Sequence, residues 1–508
     1  MSSSRNREYL IGLDAGTTSV KGILVRTDGK VVCVAAKEYM LEYPAVDRCE
    51  LDADVYWRAT RLVIRHLVKQ GHIEPNQVLA LSLASQGETL IPVDADGKPI
   101  RKAIVWLDNR SSAEALEISQ RFGSLILGVT GQPEVVPTWP ATRILWLHRH
   151  EPTTFRRAKK YLLVEDFLIH RLTGRFITEP TVSSSTLYLD IHQRRWWTAM
   201  LDFIELGPEK LPEVCASGSA VGTLTRAAAR ATGLGKSVLV VAGAFDHAAG
   251  ALGCGNLREG IVSETTGGAM AMVATLDQPL LREDLRLACQ CHAVPGKYFL
   301  LPYGQTAGLV LKWFRDTFAQ PEMRRAQSRG LDAYALLDAL AAKVPAGADG
   351  LVLLPHLMGT GSPEFDSKVK GVFCGVTPAM GKGHFVRAIL ESVACMIRKN
   401  FEALRRAGVS IREVRALGGG ARSRLWIQIK ADCTGIPFVR FQSSEPAALG
   451  AAILAGIGCG VFGCLEEACD ALVRVKETVA PDPSMAPVYG KLFERYTALY
   501  DSLRTYWL

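Results

Sequence analysis

The chain has 508 residues, of which 48% are apolar and 22% are charged, a balance typical of a soluble globular protein. This length predicts two domains of about 250 residues each, because a single core rarely grows so large. The net charge of +8 is spread thinly and basic residues form only short groups, which argues against nucleic acid as a partner.

Three features of the sequence bear on the cellular location of the protein: the N-terminus, one uncharged stretch and the cysteines. No signal-peptide core follows the polar segment Met1–Glu8. The stretch Ala447–Cys464 carries no charge, but its glycines and alanines predict a helix packed tightly on a sheet, not a membrane span. The cysteines are scattered, and Cys289–His292 has no second ligand cluster, so we expect reduced thiols in a cytoplasmic protein without a metal cluster.

Three apolar runs joined by glycine-containing turns form the first predicted elements, a β-meander. The runs are Leu10–Leu13, Val20–Val25 and Val31–Ala36. A helical pattern over Val55–Lys69 comes next, and two buried strands follow at Leu79–Ala84 and Ala103–Trp106. This order predicts an α/β fold, with a mixed sheet covered by helices.

A similar unit occurs in the middle of the chain. The run Gly260–Glu264 leads into the turn Thr265–Gly268, and Ala269–Ala274 continues as a second strand. The pattern predicts an internal duplication, with one domain from 1 to 254 and another from 255 to 508. Two such halves facing each other across a cleft would place both Thr/Gly turns at one ligand.

The first turn has the composition of a phosphate site. Gly16, Thr17 and Thr18 can bring N–H and hydroxyl donors close to a phosphate. Asp14, at the strand end beside them, would then require a cation, which predicts Mg²⁺. Lys21 in the returning strand would add positive charge. The alternative is an ordinary hairpin with a solvated aspartate.

Two later strand ends carry further candidate groups. Asp246 follows the apolar run Val238–Ala242 and can accept a proton from a hydroxyl that attacks phosphorus, although a helix N-cap is the alternative. Gly418–Gly420 follow the strand Val414–Leu417. These glycines would let a flat ring such as adenine lie against the backbone, unless they form only a tight turn.

In this order the pieces resemble the FGGY family of carbohydrate kinases. The most specific stretch is Gly371–Val376, followed by His384-Phe385 and Ala388–Glu391, and the resemblance runs from Leu10 to Gly463. It implies two domains of actin-like (ribonuclease H-like) fold, with ATP and a small sugar or polyol in the cleft between them. It is also compatible with a homodimer.

The resemblance implies a role for each candidate residue. Asp246 would be the catalytic base, and Asp14 and Asp246 would associate with Mg²⁺. The residues expected to bind ATP are Gly16, Thr17, Thr18, Lys21, Thr266, Gly267, Gly268, Gly419, Gly420 and Arg422. Family members usually carry Thr or Ser where Gly268 stands, so phosphate contact there would rest on the backbone or on Thr266.

Substrate recognition is expected along the segment 85–110. The candidates are Gln86, Glu88, Trp106, Asp108, Arg110, Trp139 and Asp246. The segment resembles the family's glycerol kinases more than its xylulokinases, but Gly87 replaces an arginine and would leave room for a longer substrate. Gln86 and Glu88 can hydrogen-bond vicinal hydroxyls, whereas Asp108 and Arg110 have a buried salt bridge as their alternative.

Together these expectations describe ATP-dependent phosphorylation of a small sugar, with a ketopentose such as xylulose as the leading substrate. Glycerol or another polyol is the alternative substrate. An actin-like ATPase without a sugar substrate would share the phosphate turns and the adenosine glycines. It would need neither Asp246 nor the polar cluster from Gln86 to Arg110.

Overall fold

A computed structural model describes residues 8–507 of the chain. Two mixed β-sheets dominate the fold, and each takes its strands from one half of the sequence. The strands of the first sheet are β1 (Tyr9–Ala15), β2 (Ser19–Arg26), β3 (Val31–Glu38), β4 (Val78–Ser85), β5 (Ala220–Thr223) and β6 (Leu239–Phe245). Their order across the sheet is β5-β6-β4-β1-β2-β3.

The second sheet repeats this arrangement. Its strands are β7 (Gly260–Thr266), β8 (Met270–Leu276), β9 (Cys289–Cys291), β10 (Tyr298–Leu300), β11 (Tyr303–Gly304), β12 (Ile411–Leu417), β13 (Phe438–Phe441) and β14 (Val475–Val479). Their order is β9-β10-β8-β7-β12-β13-β14, and β11 also pairs with β8. In each sheet an antiparallel hairpin (β1–β2 or β7–β8) lies beside two parallel strands (β4 and β6, or β12 and β13) and an antiparallel edge strand. The predicted internal duplication is confirmed.

Helices cover both sheets. Those of the first half are α1 (Asp54–Gly71), α2 (Ser112–Phe122), α3 (Leu125–Thr130), α4 (Pro140–His150), α5 (Pro152–Arg157), α6 (Val164–Thr173), α7 (Pro180–Ser183), α8 (Thr198–Phe203), α9 (Arg226–Thr232) and α10 (Asp246–Gly253). Those of the second half are α11 (Gly308–Phe318), α12 (Gln320–Arg329), α13 (Ala333–Ala341), α14 (Lys382–Arg406), α15 (Arg424–Thr434), α16 (Pro446–Gly458), α17 (Leu465–Leu472) and α18 (Ala486–Leu503). Between residues 8 and 507, no helix is both long enough and apolar enough to cross a bilayer. The predicted α/β, actin-like architecture is confirmed.

The apolar patterns of the first half explain how its core forms. Every residue of β1 except Asp14 is buried, as expected for a central strand covered on both sides. The helix predicted at Val55–Lys69 is α1, and its buried residues Tyr56, Val63 and Leu67 recur at helical spacing. A continuous apolar strand with a single carboxylate near its end therefore brings Asp14 to the edge of a closed core.

The uncharged stretch at Ala447–Cys464 forms α16, which packs on β1 and on α10. A Cβ placed on Gly450 would lie 1.9 Å from the Ala249 carbonyl oxygen of α10. Glycine is therefore required where the two helix backbones approach, which explains the composition and confirms the predicted packed helix. Because α16 comes from the second half but covers the first sheet, the boundary at 254 stays a prediction.

The strand expected at Ala103–Trp106 is shorter and lies outside the main sheets. Only Ala103–Ile104 form a strand, which pairs with Arg48–Leu51. The short strands outside the two sheets are Glu42–Ala45, Arg48–Leu51, Ile91–Val93, Ala103–Ile104, Lys160–Leu162, Ile177–Thr178, Leu189–Asp190, Arg195–Trp196, Glu213–Val214, Val352–Leu354 and Val372–Cys374. A short run of apolar residues indicates that the segment is buried. It does not indicate which sheet the segment joins.

Candidate functional site

The carboxyl ends of β1, β4 and β6 lie side by side at one edge of the first sheet. The parallel register places Asp14 opposite Ala84 of β4, and the last residue of β6 opposite the last residue of β4. Gln86 follows β4 directly, and Asp246 follows β6 directly. The topology thus brings three of the predicted site residues to the edge where ligands bind in open α/β sheets.

Asp14 and Asp246 each keep one carboxylate oxygen, Oδ1, that is buried and has no hydrogen-bond donor among residues 8–507. Burial raises the pKa of Asp246 to about 7. Burial, and then the charge of Asp246, raise the pKa of Asp14 to about 7, while Lys21 acts in the opposite direction. Two neighbouring carboxylates that each keep one oxygen without a donor are an unfavourable arrangement that a bound cation would relieve.

The two aspartates fit Mg²⁺ better than a cation held wholly by the protein. Within the described residues, no three acidic, histidine or cysteine side chains converge on one point. Mg²⁺ at phosphate sites takes only one or two protein carboxylates and completes its shell with phosphate oxygens and water. The donor set at the strand ends therefore matches the predicted ion.

Replacing Asp246 by asparagine should stabilise the ligand-free protein by an amount that depends on pH. A carboxyl group whose pKa rises on folding, here from 3.8 to about 7, contributes stability that is lost as pH increases across that interval. Asparagine has no charge to acquire, so the Tm of Asp246→Asn should exceed that of the parent near pH 8 and approach it near pH 4. Calorimetry at both pH values measures the difference, and a difference independent of pH would contradict the raised pKa.

Gln86 and Glu88 belong to the same electrostatic cluster. Gln86 donates from Nε2 to the Tyr56 hydroxyl at 2.8 Å, and its buried Oε1 has no donor among the described residues. Glu88 has a φ of +59°, a strained conformation for a residue other than glycine. Burial raises the pKa of Glu88 to about 7, a hydrogen bond with Ser185 opposes this, and the charge of Asp246 adds to it.

Arg143 of α4 binds the backbone of the segment 85–110, along which substrate recognition is expected. Its side chain is fully buried and donates to the backbone carbonyls of Glu88 at 2.8 Å, Trp106 at 2.9 Å and Asp108 at 3.0 Å. Burial lowers the pKa of Arg143 to about 10. Sequence reasoning missed this residue because its acceptors lie 35 to 55 positions away, and a basic residue on a helix is typical of a surface.

Trp106 connects the segment 85–110 to the first phosphate turn. Its Nε1 donates to Thr17 Oγ1 at 2.9 Å. Because Oγ1 accepts this bond, the hydroxyl proton of Thr17 points elsewhere and can reach a phosphate. The Gly16 N–H bonds the Ser19 carbonyl at 3.0 Å and closes the turn, while Thr18 is exposed.

Lys21 pairs with a residue from the other half of the chain. Its Nζ lies 2.9 Å from Glu445 Oε2, and Glu445 directly precedes α16. The ammonium group therefore joins the first sheet to the helix that covers it. Its predicted contribution to ATP binding stays a prediction.

Asp108 and Arg110 are engaged with each other. Arg110 donates from Nε and Nη2 to the two Asp108 oxygens at 2.8 and 2.7 Å, and from Nη2 to Glu50 at 2.6 Å. Asp108 also accepts the Cys49 N–H at 2.7 Å, and it is fully buried. The buried salt bridge, the alternative interpretation, is the observed arrangement, and a contact of these two residues with the substrate stays a prediction.

Trp139 and Gly87 both have neighbours within the protein, and a contact of Trp139 with the substrate stays a prediction. Trp139 donates Nε1 to the Glu134 carbonyl at 3.0 Å and packs against an apolar core that includes Ile144. A Cβ on Gly87 would lie 3.1 Å from the Phe245 ring, so that ring occupies the space expected to be free for a longer substrate. The absence of a side chain at Gly87 therefore gives no information on substrate length.

The second phosphate turn lies against the three glycines that follow β12. A Cβ on Gly420 would lie 2.7 Å from Thr266 Cβ, and a Cβ on Gly418 would lie 2.7 Å from the Thr266 carbonyl oxygen. Gly418 also has a φ of +74°, so glycine is required there. The fold thus brings together the predicted phosphate turn and the predicted adenosine motif, including the exposed Gly419.

The Thr266 hydroxyl is used inside the protein. Lys430 of α15 donates to Thr266 Oγ1 at 2.7 Å and to Glu264 at 2.8 Å, and Thr266 itself donates to Glu264. The Lys430 and Glu264 side chains are fully buried. This hydroxyl is therefore engaged within the protein, and a phosphate contact through it stays a prediction. The Gly267 N–H also bonds inside the turn, to the Ala269 carbonyl at 2.9 Å, so the exposed Gly268 N–H is the backbone donor left for a phosphate.

Arg440 binds the backbone that directly follows the glycines of the adenosine motif. It donates from Nε to the Ala421 carbonyl at 2.8 Å and from Nη2 to the Arg422 carbonyl at 2.9 Å. The Arg422 side chain is exposed, so its predicted role in ATP binding stays a prediction. Like Arg143, Arg440 is a basic residue bound to distant carbonyls, and sequence reasoning missed it.

Comparisons with known proteins agree with this arrangement. Residues 9–253 match the N-terminal domain, and residues 265–459 the C-terminal domain, of the FGGY family of carbohydrate kinases. The chain is 29% identical to the xylulose kinase of Bacillus subtilis (strain 168) over 97% of each protein. It is 30% identical to the autoinducer-2 kinase of Enterobacter sp. (strain 638), over 97% of this chain and 94% of that protein. The solved structure of the xylulose kinase from Rhodospirillum rubrum is 31% identical, with a TM-score of 0.87 over 98% of this chain and 100% of that one.

Proposed function

On the premise that the chain belongs to the FGGY family of carbohydrate kinases and is a sugar kinase, we propose that it transfers the γ-phosphoryl group of ATP to a hydroxyl of a ketopentose such as xylulose. One observation carries the proposal. The carboxylates of Asp14 and Asp246, each with one buried oxygen that has no donor among residues 8–507, lie at the strand ends beside Gln86 and Glu88. Family membership decides against an actin-like ATPase without a sugar substrate.

Asp246 is the proposed catalytic base. Its Oδ1 has no hydrogen-bond donor among residues 8–507 and can accept a proton, and burial raises its pKa above the usual range in the ligand-free protein. As the proton of the sugar hydroxyl moves to Asp246, the hydroxyl oxygen forms a bond to the γ-phosphorus in line with the leaving group. The bond from the γ-phosphorus to the bridging oxygen breaks, and ADP and the sugar phosphate are the products.

Asp14 and Asp246 are the residues that would hold Mg²⁺, which when bound neutralises charge on the β- and γ-phosphates. Asp14 supplies its buried Oδ1 from the end of β1. The Thr17 hydroxyl and the Gly268 N–H are the proposed donors to phosphate oxygens. Positioning and charge neutralisation by these groups account for most of the proposed rate enhancement.

The proposed sugar site uses Gln86, Glu88 and Trp106. The free Oε1 of Gln86 can accept one sugar hydroxyl, and the Glu88 carboxyl can accept another. The Trp106 ring is fixed by Thr17 and partly exposed, so it can pack on the carbon skeleton. A domain division at 254, a cytoplasmic location and a homodimer remain predictions.

Autoinducer-2 is a second candidate substrate, because the identity to an autoinducer-2 kinase, 30%, is as high as the identity to the xylulose kinases. The activities of the relatives therefore do not separate the two substrates. Glycerol stays an alternative as well, since Gly87 no longer argues against a small pocket.

A screen of ADP release should give the highest kcat/KM with a ketopentose. The assay couples ADP to NADH oxidation and compares D- and L-xylulose, D-ribulose, fructose, glycerol, gluconate and autoinducer-2. The Asp246→Asn protein and a reaction without sugar are the controls for background hydrolysis. A preference of about tenfold or more for autoinducer-2 or for glycerol would replace the ketopentose as the proposed substrate.

A further inference from the structure

The strand that leads to Asp246 contains a bulge. Relative to β4, β6 has one extra residue between Val241 and Ala244. A Cβ on Gly243 would lie 1.6 Å from the Leu83 carbonyl oxygen, so only glycine fits at this point. Bulges of this kind commonly re-aim a side chain next to an active site.

Two buried side chains bind the backbone of the bulged strand. Glu165 Oε1 accepts the Gly243 N–H at 2.7 Å, and Thr181 Oγ1 accepts the Phe245 N–H at 2.7 Å. Glu165 is 0% exposed and Thr181 is 1% exposed. These two bonds fix the chain three residues and one residue before Asp246, so they set the direction in which its carboxylate points.

Glu179 orients the Thr181 hydroxyl. Thr181 donates its hydroxyl proton to Glu179 Oε1 at 2.7 Å. Glu179 also accepts the Thr181 N–H at 2.8 Å, the Val182 N–H at 2.6 Å and the Ser217 hydroxyl at 2.6 Å. Burial raises the pKa of Glu179, and these four hydrogen bonds, which favour the ionised carboxylate, oppose that rise. Because its proton goes to Glu179, the Thr181 hydroxyl oxygen acts as the acceptor of the Phe245 N–H.

Glu165 is the neutral member of this pair of glutamates. Burial, followed by the charge of Glu179, raises the pKa of Glu165 well above its usual range. Its Oε2 has no partner among residues 8–507, in contrast to the four donors around Glu179. A neutral carboxyl group still offers one oxygen to the Gly243 N–H, so glutamine should replace it with little loss.

We propose that Thr181, oriented by Glu179, and Glu165 are positioning residues that aim Asp246 at the substrate hydroxyl. The proposal rests on the proposed function of Asp246 as the base. None of the three touches the reacting atoms, and each acts through the backbone of β6. A displacement of the base by a fraction of an ångström is costly, because proton transfer requires a narrow range of distances.

The first test compares Thr181→Val with Thr181→Ser. Valine has the shape of threonine but neither accepts the Phe245 N–H nor donates to Glu179, whereas serine keeps the hydroxyl. We expect Thr181→Val to lower kcat by about 10- to 100-fold with both KM values within about twofold, and Thr181→Ser to stay within about twofold of the parent. An unchanged kcat in Thr181→Val, or a comparable loss in Thr181→Ser, would overturn the proposal.

The second test repeats Thr181→Val in the Asp246→Asn background, with residual turnover measured from radiolabelled ATP. If Thr181 acts through Asp246, the second substitution should lower the residual rate by less than about twofold. A full additional loss would assign Thr181 a merely structural role and overturn the proposal. If Asp246→Asn alone keeps parental turnover, the base assignment fails and the inference fails with it. If Asp246→Asn is impaired but Thr181→Val is not, only the inference fails.

Glu165 provides a second variant pair in case Thr181→Val does not fold. Glu165→Gln keeps the oxygen that accepts the Gly243 N–H, and Glu165→Met removes it at similar volume. We expect kcat within about threefold for glutamine and a loss of about tenfold or more for methionine, again with KM values little changed. Equal kcat values in the two variants would contradict a positioning role for Glu165.

Discussion

Replacing Asp246 by asparagine is expected to lower kcat by on the order of 10²-fold or more, the contribution of a positioned base. Asparagine has nearly the same shape but cannot accept the proton of the sugar hydroxyl. The KM for ATP should change much less, because Asp14 and both glycine turns remain in place. Steady-state ADP release at saturating sugar measures the effect.

The matched control for this substitution is Asp202→Asn. Asp202 is exposed on α8, so the same chemical change should leave kcat within about twofold of the parent. Turnover close to the parental value in Asp246→Asn would remove this residue from the role of base. Calorimetry of the variant, as in the pH comparison above, shows whether it is folded when its kcat is measured.

Replacing Asp14 by asparagine is expected to lower kcat by on the order of 10²-fold at a fixed Mg²⁺ concentration, the cost typical of removing one preorganised electrostatic group. Asp14 contributes one of the two donor-free carboxylate oxygens at the strand ends. The Mg²⁺ concentration that gives half-maximal activity should therefore rise in this variant. Titrating Mg²⁺ at saturating ATP and sugar measures both effects.

Asp14→Asn also has a readout that does not depend on turnover. Burial and the charge of Asp246 raise the pKa of Asp14, so the ligand-free variant should be more stable than the parent near pH 8. The increase in Tm that Mg²⁺ and ADP give the parent should shrink in the variant. An unchanged Mg²⁺ dependence together with an unchanged Tm increase would show that Asp14 does not hold the ion. Asp202→Asn again serves as the control.

The family-specific stretch predicted at Gly371–Glu391 serves packing in the structure. The Phe373 ring lies 5.3 Å from the Phe385 ring, and Glu391 accepts hydrogen bonds from Arg387 at 2.7 Å and from the Gly347 N–H at 2.9 Å. A motif can therefore identify a family through residues that build its second half. The chemistry has to be argued from Asp14 and Asp246, which stand in a different part of the chain.

Local patterns were sufficient to predict the strands and their duplication. The runs at Leu10–Leu13 and Val20–Val25 lie within β1 and β2, and Gly260–Glu264 lies within β7. These elements are visible in the sequence because buried strands need apolar side chains and tight turns need glycine, both of which are properties of neighbouring residues. The position of Asp14 and Asp246 at strand ends follows from the same patterns.

Hydrogen-bond partners could not be predicted in this way. Asp108 and Arg110 look like substrate groups in the sequence, yet they satisfy each other in the core. Thr266 looks like a phosphate ligand, yet Lys430, 164 residues away, binds its hydroxyl. A polar residue type indicates that a partner is needed, but the identity of that partner depends on which distant segments the fold brings together.

The sequence by itself determined the α/β class, the two β-turn-β units and the family resemblance, because periodicity, turn residues and short motifs are local. Only the tertiary structure decided which polar groups remain free for a ligand. Among residues 8–507, it left one side-chain oxygen each of Asp14, Gln86 and Asp246 without a donor. It also placed Arg143 and Thr181 where they fix the chain around those groups. The reason is physical: a buried polar group must be paired, and its pairing is settled by packing between segments that are far apart in the chain.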